Sequence, residues 1–332
     1  MPHALVAGGA GFVGCYLVEL LLSQGWKVTV LDNFTRGNFD HLPDGILVWN
    51  ADVQDLAPET LRGAGVDIIF DLAAQVYGVR DLYAKPGKLL KNNLEVTCHL
   101  IGCAVRAEIT KYVFVSSSCI YDHAGVKVPH REDDIGLCNT SYGLSKLVGE
   151  ELLRYVAQET GLPVRIARLF NVYGAHDSWN STHVVPDFMR KAWRLATGRS
   201  TDFPIIGDGL QTRDFTFAPD VARGILAVAE RGGPCVPYNL GTGREISMRN
   251  LARLIVPLFG LDPARVTFVH EEAPPEDIRR RSADPSRAFQ DLDWEPTVEL
   301  EQGLRHVKDA IVPELEAQAA TEAEATVETA SA

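Results

Sequence analysis

Tyr142 and Lys146 stand four residues apart in the run Ser141-Tyr142-Gly143-Leu144-Ser145-Lys146. On a helix they share a face, so the ammonium can lower the pKa of the phenol beside it. A phenol tuned in this way can trade a proton with a hydroxyl while hydride leaves the same carbon. Upstream, the apolar run Tyr112-Val113-Phe114-Val115 leads into Ser116-Ser117-Ser118-Cys119-Ile120-Tyr121, which adds the hydroxyl of Ser117 and the thiol of Cys119. A thiol titrates at about 8.5 and can give or take a proton near neutrality. A Tyr/Lys pair alone also describes an ordinary solvated helix face. Its place after a serine-rich strand end, in a chain that begins with a dinucleotide-type turn, selects the chemical reading.

That turn is Gly8-Gly9-Ala10-Gly11-Phe12-Val13-Gly14, entered from the apolar run His3 to Ala7 and followed by helical apolar spacing from Cys15 to Leu22. Glycines at 8, 11 and 14 allow a tight turn, close approach of a pyrophosphate and packing of the helix on the sheet, with the helix N-terminus facing the phosphates. A second strand, Lys27 to Leu31, ends in Asp32, followed by Asn33. An acidic residue there accepts from ribose hydroxyls and repels a 2′-phosphate, which favours NAD over NADP, although Arg36 is near enough in sequence to serve the extra phosphate. Further strand-like runs at Ile46 to Trp49, Asp67 to Leu72 and Tyr112 to Val115 alternate with helical segments. This implies an α/β fold, a doubly wound parallel sheet of the Rossmann type. Asp52 and Val53 follow the third strand, where an adenine would sit. Leu72, Ala73 and Ala74 follow the fourth, placing small residues beside the cofactor or simply in the core.

The chain has 332 residues, 46% of them hydrophobic, enough for one large domain with a smaller one appended. A net charge of −12 argues against nucleic acid as a partner. The six cysteines include no CxxC pair, which implies reduced thiols, a cytoplasmic setting and no metal site. No stretch is long and apolar enough to span a bilayer, and no signal segment stands at the N-terminus. Residues 313–332 hold five glutamates, no basic residue and many Ala and Thr, the composition of an acidic, flexible tail.

Taken together, these residues resemble the extended short-chain dehydrogenase/reductase family, in particular its NAD-dependent nucleotide-sugar epimerases and dehydratases, from the first strand to about Asp309. The resemblance implies that Ser117 and Tyr142 hold the C4 hydroxyl of a sugar, that Lys146 supports Tyr142 and binds the nicotinamide ribose, and that Asn93 lies near the nicotinamide. Arg168-Leu169-Phe170-Asn171-Val172-Tyr173-Gly174 and Gly207 to Phe215 look like the family's sugar-nucleotide loops, in which Asn171 and Arg213 meet the diphosphate; Arg279 and Asp284 fall where relatives contact phosphate or nucleotide. A guanidinium suits that task because its planar fork matches phosphate oxygens. The implied domains are an NAD-binding unit over 1–171 and a mainly nucleotide-sugar-binding unit over 172–312, between which the chain may cross back. The implied partners are a GDP- or UDP-linked hexose and a second copy of the chain, paired through Asn93 to Arg106 and Ser141 to Thr160.

The reaction turns on the residues after Ser117. The family's 4,6-dehydratases carry Asp-Glu there, and decarboxylating members usually carry Glu at the second position; Ser118-Cys119 departs from both. Ser118-Cys119-Ile120-Tyr121 resembles the GDP-mannose 3,5-epimerases, in which a cysteine exchanges protons beside a 4-ketone, as do the Trp179 region up to Pro186 and Arg279 to Asp284. Their second acid/base is a lysine shortly before the proline matched by Pro186. This chain has Ser181-Thr182-His183 instead, and His183 is the candidate substitute. The alternatives are a UDP- or GDP-sugar 4-epimerase with Cys119 a bystander, a dehydratase using other groups, and a dinucleotide-binding module without turnover.

Overall fold

The computed structural model describes residues 1–75, 86–122, 127–136, 138–178, 181–273 and 278–331, with side chains to residue 322; Trp179 lies outside these segments. Strand β1 (His3–Ala7), helix α1 (Phe12–Ser23), β2 (Lys27–Asp32), β3 (Leu47–Asn50), α2 (Pro58–Ala64), β4 (Ile68–Asp71), α3 (Pro86–Arg106), β5 (Lys111–Ser117), α4 (Ser141–Thr160) and β6 (Val164–Leu169) follow the alternation expected from the sequence. The central strands are apolar without a break because both faces are covered: Ala4, Leu5, Val6 and Ala7 are fully buried. One apolar cluster packs α1 against the sheet, and a second packs α2, α3 and α4 against its other face.

Six parallel strands are complete by Leu169. The chain first builds β7 (Asn171–Tyr173), α5 (Val184–Ala196), β8 (Phe203–Ile206) and β9 (Thr212–Phe217). It then returns through α6 (Ala218–Arg231) to supply β10 (Pro237–Leu240), which pairs in parallel with β6. The sheet order is β10-β6-β5-β4-β1-β2-β3. Its connectivity reverses between β1 and β4, and a cleft opens at the carboxyl ends of strands at such a point. The rest of the chain completes the smaller lobe with β11 (Glu245–Ser247), α7 (Met248–Ile255), β12 (Phe268–Glu271), β13 (Arg280–Arg281), α8 (Ser286–Leu292) and α9 (Leu300–Ser331).

The acidic C-terminal segment differs from the flexible tail that its composition implies. It continues α9, whose Leu304, Val307 and Ile311 pack on the smaller lobe's core, and within the segment Leu315 joins that core and Ala319 is buried on the same face. The glutamates mask this stripe in a composition reading, because net charge carries no information about which face holds the apolar residues.

Candidate active site

The carboxyl ends of β1 and β4 meet at Gly8. Its φ is +76°, and a Cβ there would lie 2.9 Å from the Leu72 carbonyl carbon, so only glycine permits the approach. Gly11 accepts the backbone N–H of Cys15 at 3.0 Å and caps α1 without a side-chain bond, and no acidic residue stands in the first turn. The first helical N–H groups, at Phe12 and Val13 onward, therefore face the cleft as donors for an anion. Asp32, 8% exposed, accepts from Ala10 N at 3.0 Å and Phe34 N at 2.9 Å, so its carboxylate also braces the glycine turn. Asn33 donates to Asp52, and the neighbouring Val53 is buried. Leu72, Ala73 and Ala74 line the end of β4 half-buried, with Leu72 N donating to Ala7 O at 2.9 Å.

On the far side, β5 ends at Ser117, whose hydroxyl accepts from Cys119 N at 3.2 Å and starts a short 3-10 turn over Ser118–Tyr121. Helix α4 begins immediately against it. Thr140 caps the helix by accepting from Gly143 N at 3.1 Å, and a Cβ at Gly143 would lie 2.2 Å from the Cys119 carbonyl oxygen. This contact sets Tyr142 beside Ser117 and Cys119. Tyr142, Lys146 and Glu150 then share one face of the helix.

The phenol departs from expectation. Burial pushes Tyr142 well above the usual range, the Cys119 thiol adds to this, and a hydrogen bond with Ser117 and the charge of Arg36 act against it. Lys146 is committed elsewhere: its Nζ donates to Val115 O at 2.9 Å and lies 4.8 Å from the centre of the Phe114 ring. Burial lowers the Lys146 pKa, while Asp71 and then Glu150 hold it up. Asp71 is fully buried, takes a 2.6 Å hydrogen bond from Tyr112 on one oxygen and has no partner on the other among the described residues.

Burial likewise raises the Cys119 thiol, but Arg281 opposes it most strongly, with Asp122 raising it and Ser117 and Arg213 lowering it. Cys119 therefore shares a polar corner with the phenol and feels the charges of two arginines. Arg281 is held by Asp122 through bonds of 2.5 to 3.0 Å, and Arg213 donates to the Thr212 and Ile278 carbonyls at 2.8 and 2.7 Å. Asn171 begins β7 with a buried side-chain oxygen that has no partner among the described residues.

Four expected site residues are engaged by partners within the protein. The amide of Asn93 clamps the backbone of Gln75 at 2.8 and 3.0 Å and reaches Ser145 Oγ at 3.3 Å, so it ties β4 to α3 and α4. Arg279 is exposed and bonded through both terminal nitrogens to Asp208 at 2.9 and 3.0 Å; the expected phosphate contact would have to compete with that pair. His183 caps α5 with its Nδ1 3.0 Å from Asp177 Oδ2 and its ring centroid 6.5 Å from that of Phe12, toward the dinucleotide turn. Its described contacts do not include Cys119 or Tyr142. Asp284 accepts from Arg131 and caps Ser286.

Behind the site lies a buried network that no motif announces. Arg168, with no exposed surface, bonds both oxygens of Glu150 at 2.8 and 2.6 Å, Tyr121 Oη at 2.8 Å and Glu132 O at 2.6 Å. Ser116 donates to Glu150 at 2.6 Å, and Tyr121 donates to Asn239 on β10 at 2.7 Å. Every donor of the guanidinium that these bonds use is matched, as a buried charge requires.

Residues 4–241 match the model of the NAD dependent epimerase/dehydratase family. The chain belongs to that family. Among curated relatives of this epimerase/dehydratase, UDP-glucuronic acid decarboxylase 1 of Arabidopsis thaliana is 33% identical over 92% of this chain and 69% of its own length. GDP-mannose 3,5-epimerase 1 of Oryza sativa subsp. japonica is 28% identical over 90% and 79%. Among solved structures, UDP-glucose 4-epimerase of Thermotoga maritima with UDP-glucose superposes with a TM-score of 0.85 at 29% identity, covering 94% of this chain and 99% of that one. NAD is the family's cofactor, and the uncapped helix at Gly11, the close approach at Gly8 and the carboxylate of Asp32 fit it. The names of the relatives span decarboxylation, 3,5-epimerisation and 4-epimerisation, so membership fixes the cofactor and leaves the reaction to the site. No helix among the described residues of this family member is long and apolar enough to cross a membrane.

Proposed function

We propose that this chain is a nucleotide-sugar epimerase that passes through a transient C4 ketone, exchanges a proton on a neighbouring carbon through Cys119, and is most like GDP-mannose 3,5-epimerase. The observation that supports it best is that the Cys119 thiol, at the turn on which Gly143 and the start of α4 pack, lies within electrostatic reach of Tyr142, Arg213 and Arg281. A hexose whose C4 hydroxyl meets Ser117 and Tyr142, and whose diphosphate reaches Asn171 and Arg213, lies across Cys119. NAD, held by Gly8, Gly11, Phe12, Val13 and Asp32, supplies a reversible acceptor for the C4 hydride. Tyr142 takes the hydroxyl proton once the positive charges of the oxidised nicotinamide and of Lys146 offset the upward push of burial on its phenol. The resulting ketone acidifies C3 and C5, and Cys119 removes and returns a proton there; the nearby arginine charges favour its thiolate against burial.

Incubation with GDP-mannose, and in parallel UDP-glucose and UDP-glucuronate, in deuterium oxide tests this by NMR of the recovered sugar. Deuterium at C3 or C5, lost in Cys119→Ala, is the expected result. A His183→Asn variant that loses exchange at one carbon only would make His183 and Asp177 the second acid/base pair. Inversion at C4 without deuterium would overturn the role of Cys119 in favour of simple 4-epimerisation, the second reading, which the burial of the thiol favours. Carbon dioxide from UDP-glucuronate would transfer the reading to decarboxylation. Pairing of two copies through α4 would cover its exposed apolar stripe Leu144, Val148 and Tyr155, and light scattering at micromolar concentration is expected to give a dimer.

A further inference from the structure

One turn into α1, three segments distant in sequence bring metal-binding side chains together. Cys15 is buried on the helix, His41 ends the short turn Phe39–His41, and His176 follows β7. One ligand atom from each lies within 4.8 Å of the other two, an arrangement found once among the described residues. The His176 ring packs between Tyr16 and His41, with centroids 4.5 and 4.6 Å away, and its Nε2 lies 3.8 Å from Glu19 Oε1. Ring stacking accounts for the aromatic contacts. It does not account for a thiol and a carboxylate converging on the same two imidazoles.

We propose that Cys15, His41 and His176, with Glu19 as the fourth donor, form a binding site for one divalent transition ion of the zinc class. The donor set is one sulfur, two nitrogens and one oxygen, borderline in softness and four in number, which suits tetrahedral zinc. Such a site places its donors about 3.4–3.6 Å apart, so the side chains close by about an ångström from their present positions. Each imidazole would bind in its neutral form, through one ring nitrogen. Cys15 now donates its S–H to Phe12 O at 3.1 Å; that proton passes to solvent as the sulfur–metal bond forms. His41 gives up a long 3.3 Å contact with the Asn38 amide. One thiolate and one carboxylate balance the two charges of the ion.

The ion would fasten the segment after β7 to α1. That segment also holds Asp177, the partner of His183, and its backbone already reaches α1 where His176 N donates to Tyr16 Oη at 3.1 Å. None of the four donors is among the groups placed at the sugar, so the ion would organise the rim of the dinucleotide turn and take no part in proton transfer.

The full-length protein, freed of metal, should be titrated with cobalt(II) and then zinc. Expected are one equivalent of cobalt, a near-ultraviolet thiolate-to-cobalt band with the visible bands of a tetrahedral ion, and their loss as zinc displaces it. Cys15→Ser should remove the near-ultraviolet band, His41→Ala and His176→Ala should weaken zinc binding at least about ten-fold, and Cys98→Ser, at an exposed thiol, should change neither. Zinc should raise the melting temperature of the wild type and leave that of His176→Ala unmoved. Absence of stoichiometric uptake by the wild type overturns the proposal. So does uptake that survives both histidine substitutions or vanishes in Cys98→Ser.

Discussion

Lys146 and Arg279 are two cations that the sequence directs toward the ligand, and the fold treats them in opposite ways. Lys146 is 4% exposed, held by a backbone carbonyl and by the charges of Asp71 and Glu150. The Arg279 side chain is 58% exposed and already forms a two-point pair with Asp208. A charge in the first setting interacts strongly because nothing screens it; in the second, solvent and salt replace much of what a partner provides. Influence in this molecule should therefore follow dryness more than charge.

The comparison makes the following expectations, in decreasing order of effect. Lys146→Met should lower turnover by about 100- to 10,000-fold, the range of a positioned proton-transfer group, while NAD binding followed by fluorescence persists; near-normal turnover would break the comparison at once. Arg168→Met leaves the buried Glu150 carboxylate with only the Ser116 hydroxyl and a 3.3 Å contact to Arg154 and should cost about 3–5 kcal/mol in urea unfolding, as breakage of a buried pair does. A cost near zero would mean that Glu150 is not dry. His130, buried and stacked on Tyr121, is pushed down to about 4 by burial and by Arg281. Its folded pKa lies below the ordinary value of about 6.5, so its contribution is complete above that pH and is lost as pH falls toward 4. His130→Gln should flatten the loss of stability across that window by at most about 3 kcal/mol. Arg279→Ala should change stability by less than about 0.5 kcal/mol, and a large rise in the Michaelis constant for the nucleotide sugar would show that the arginine leaves Asp208 for phosphate, which would sharpen the contrast into one between resting and bound states.

What could be read from sequence was what lies close along the chain. The glycine turn, Asp32 at the end of β2, the strand–helix alternation and the Tyr142/Lys146 spacing are local patterns, and local patterns survive without knowledge of the fold. The upward push on Tyr142 was not legible, because it depends on burial and on where Lys146 finds its carbonyl. Nor was the role of Asn93 as a clamp on Gln75, which needs the packing of β4 on α3. The pairs Asp122–Arg281 and Tyr121–Asn239 join residues more than a hundred positions apart, and in one sequence nothing links them. The run Arg279-Arg280-Arg281 shows the limit most clearly: its members bond Asp208, Glu245 and Asp122 in turn, and only the last reaches the thiol corner. Arg280 and Arg281 lie in β13, where successive side chains point to opposite faces, and Arg279 precedes the strand, so adjacency in sequence does not imply a shared destination.

The late arrival of β10 bears on how this chain can be cut. Without it, β6 would end the sheet as an open edge, a row of unpaired amides and carbonyls backed by Val164, Ile166 and Ala167, all buried in the intact chain. An edge of that kind templates strand addition by other copies. A fragment stopping near residue 171 would hold most of the dinucleotide-binding residues and should still self-associate, because the strand that protects it is made after the chain has passed through the other lobe.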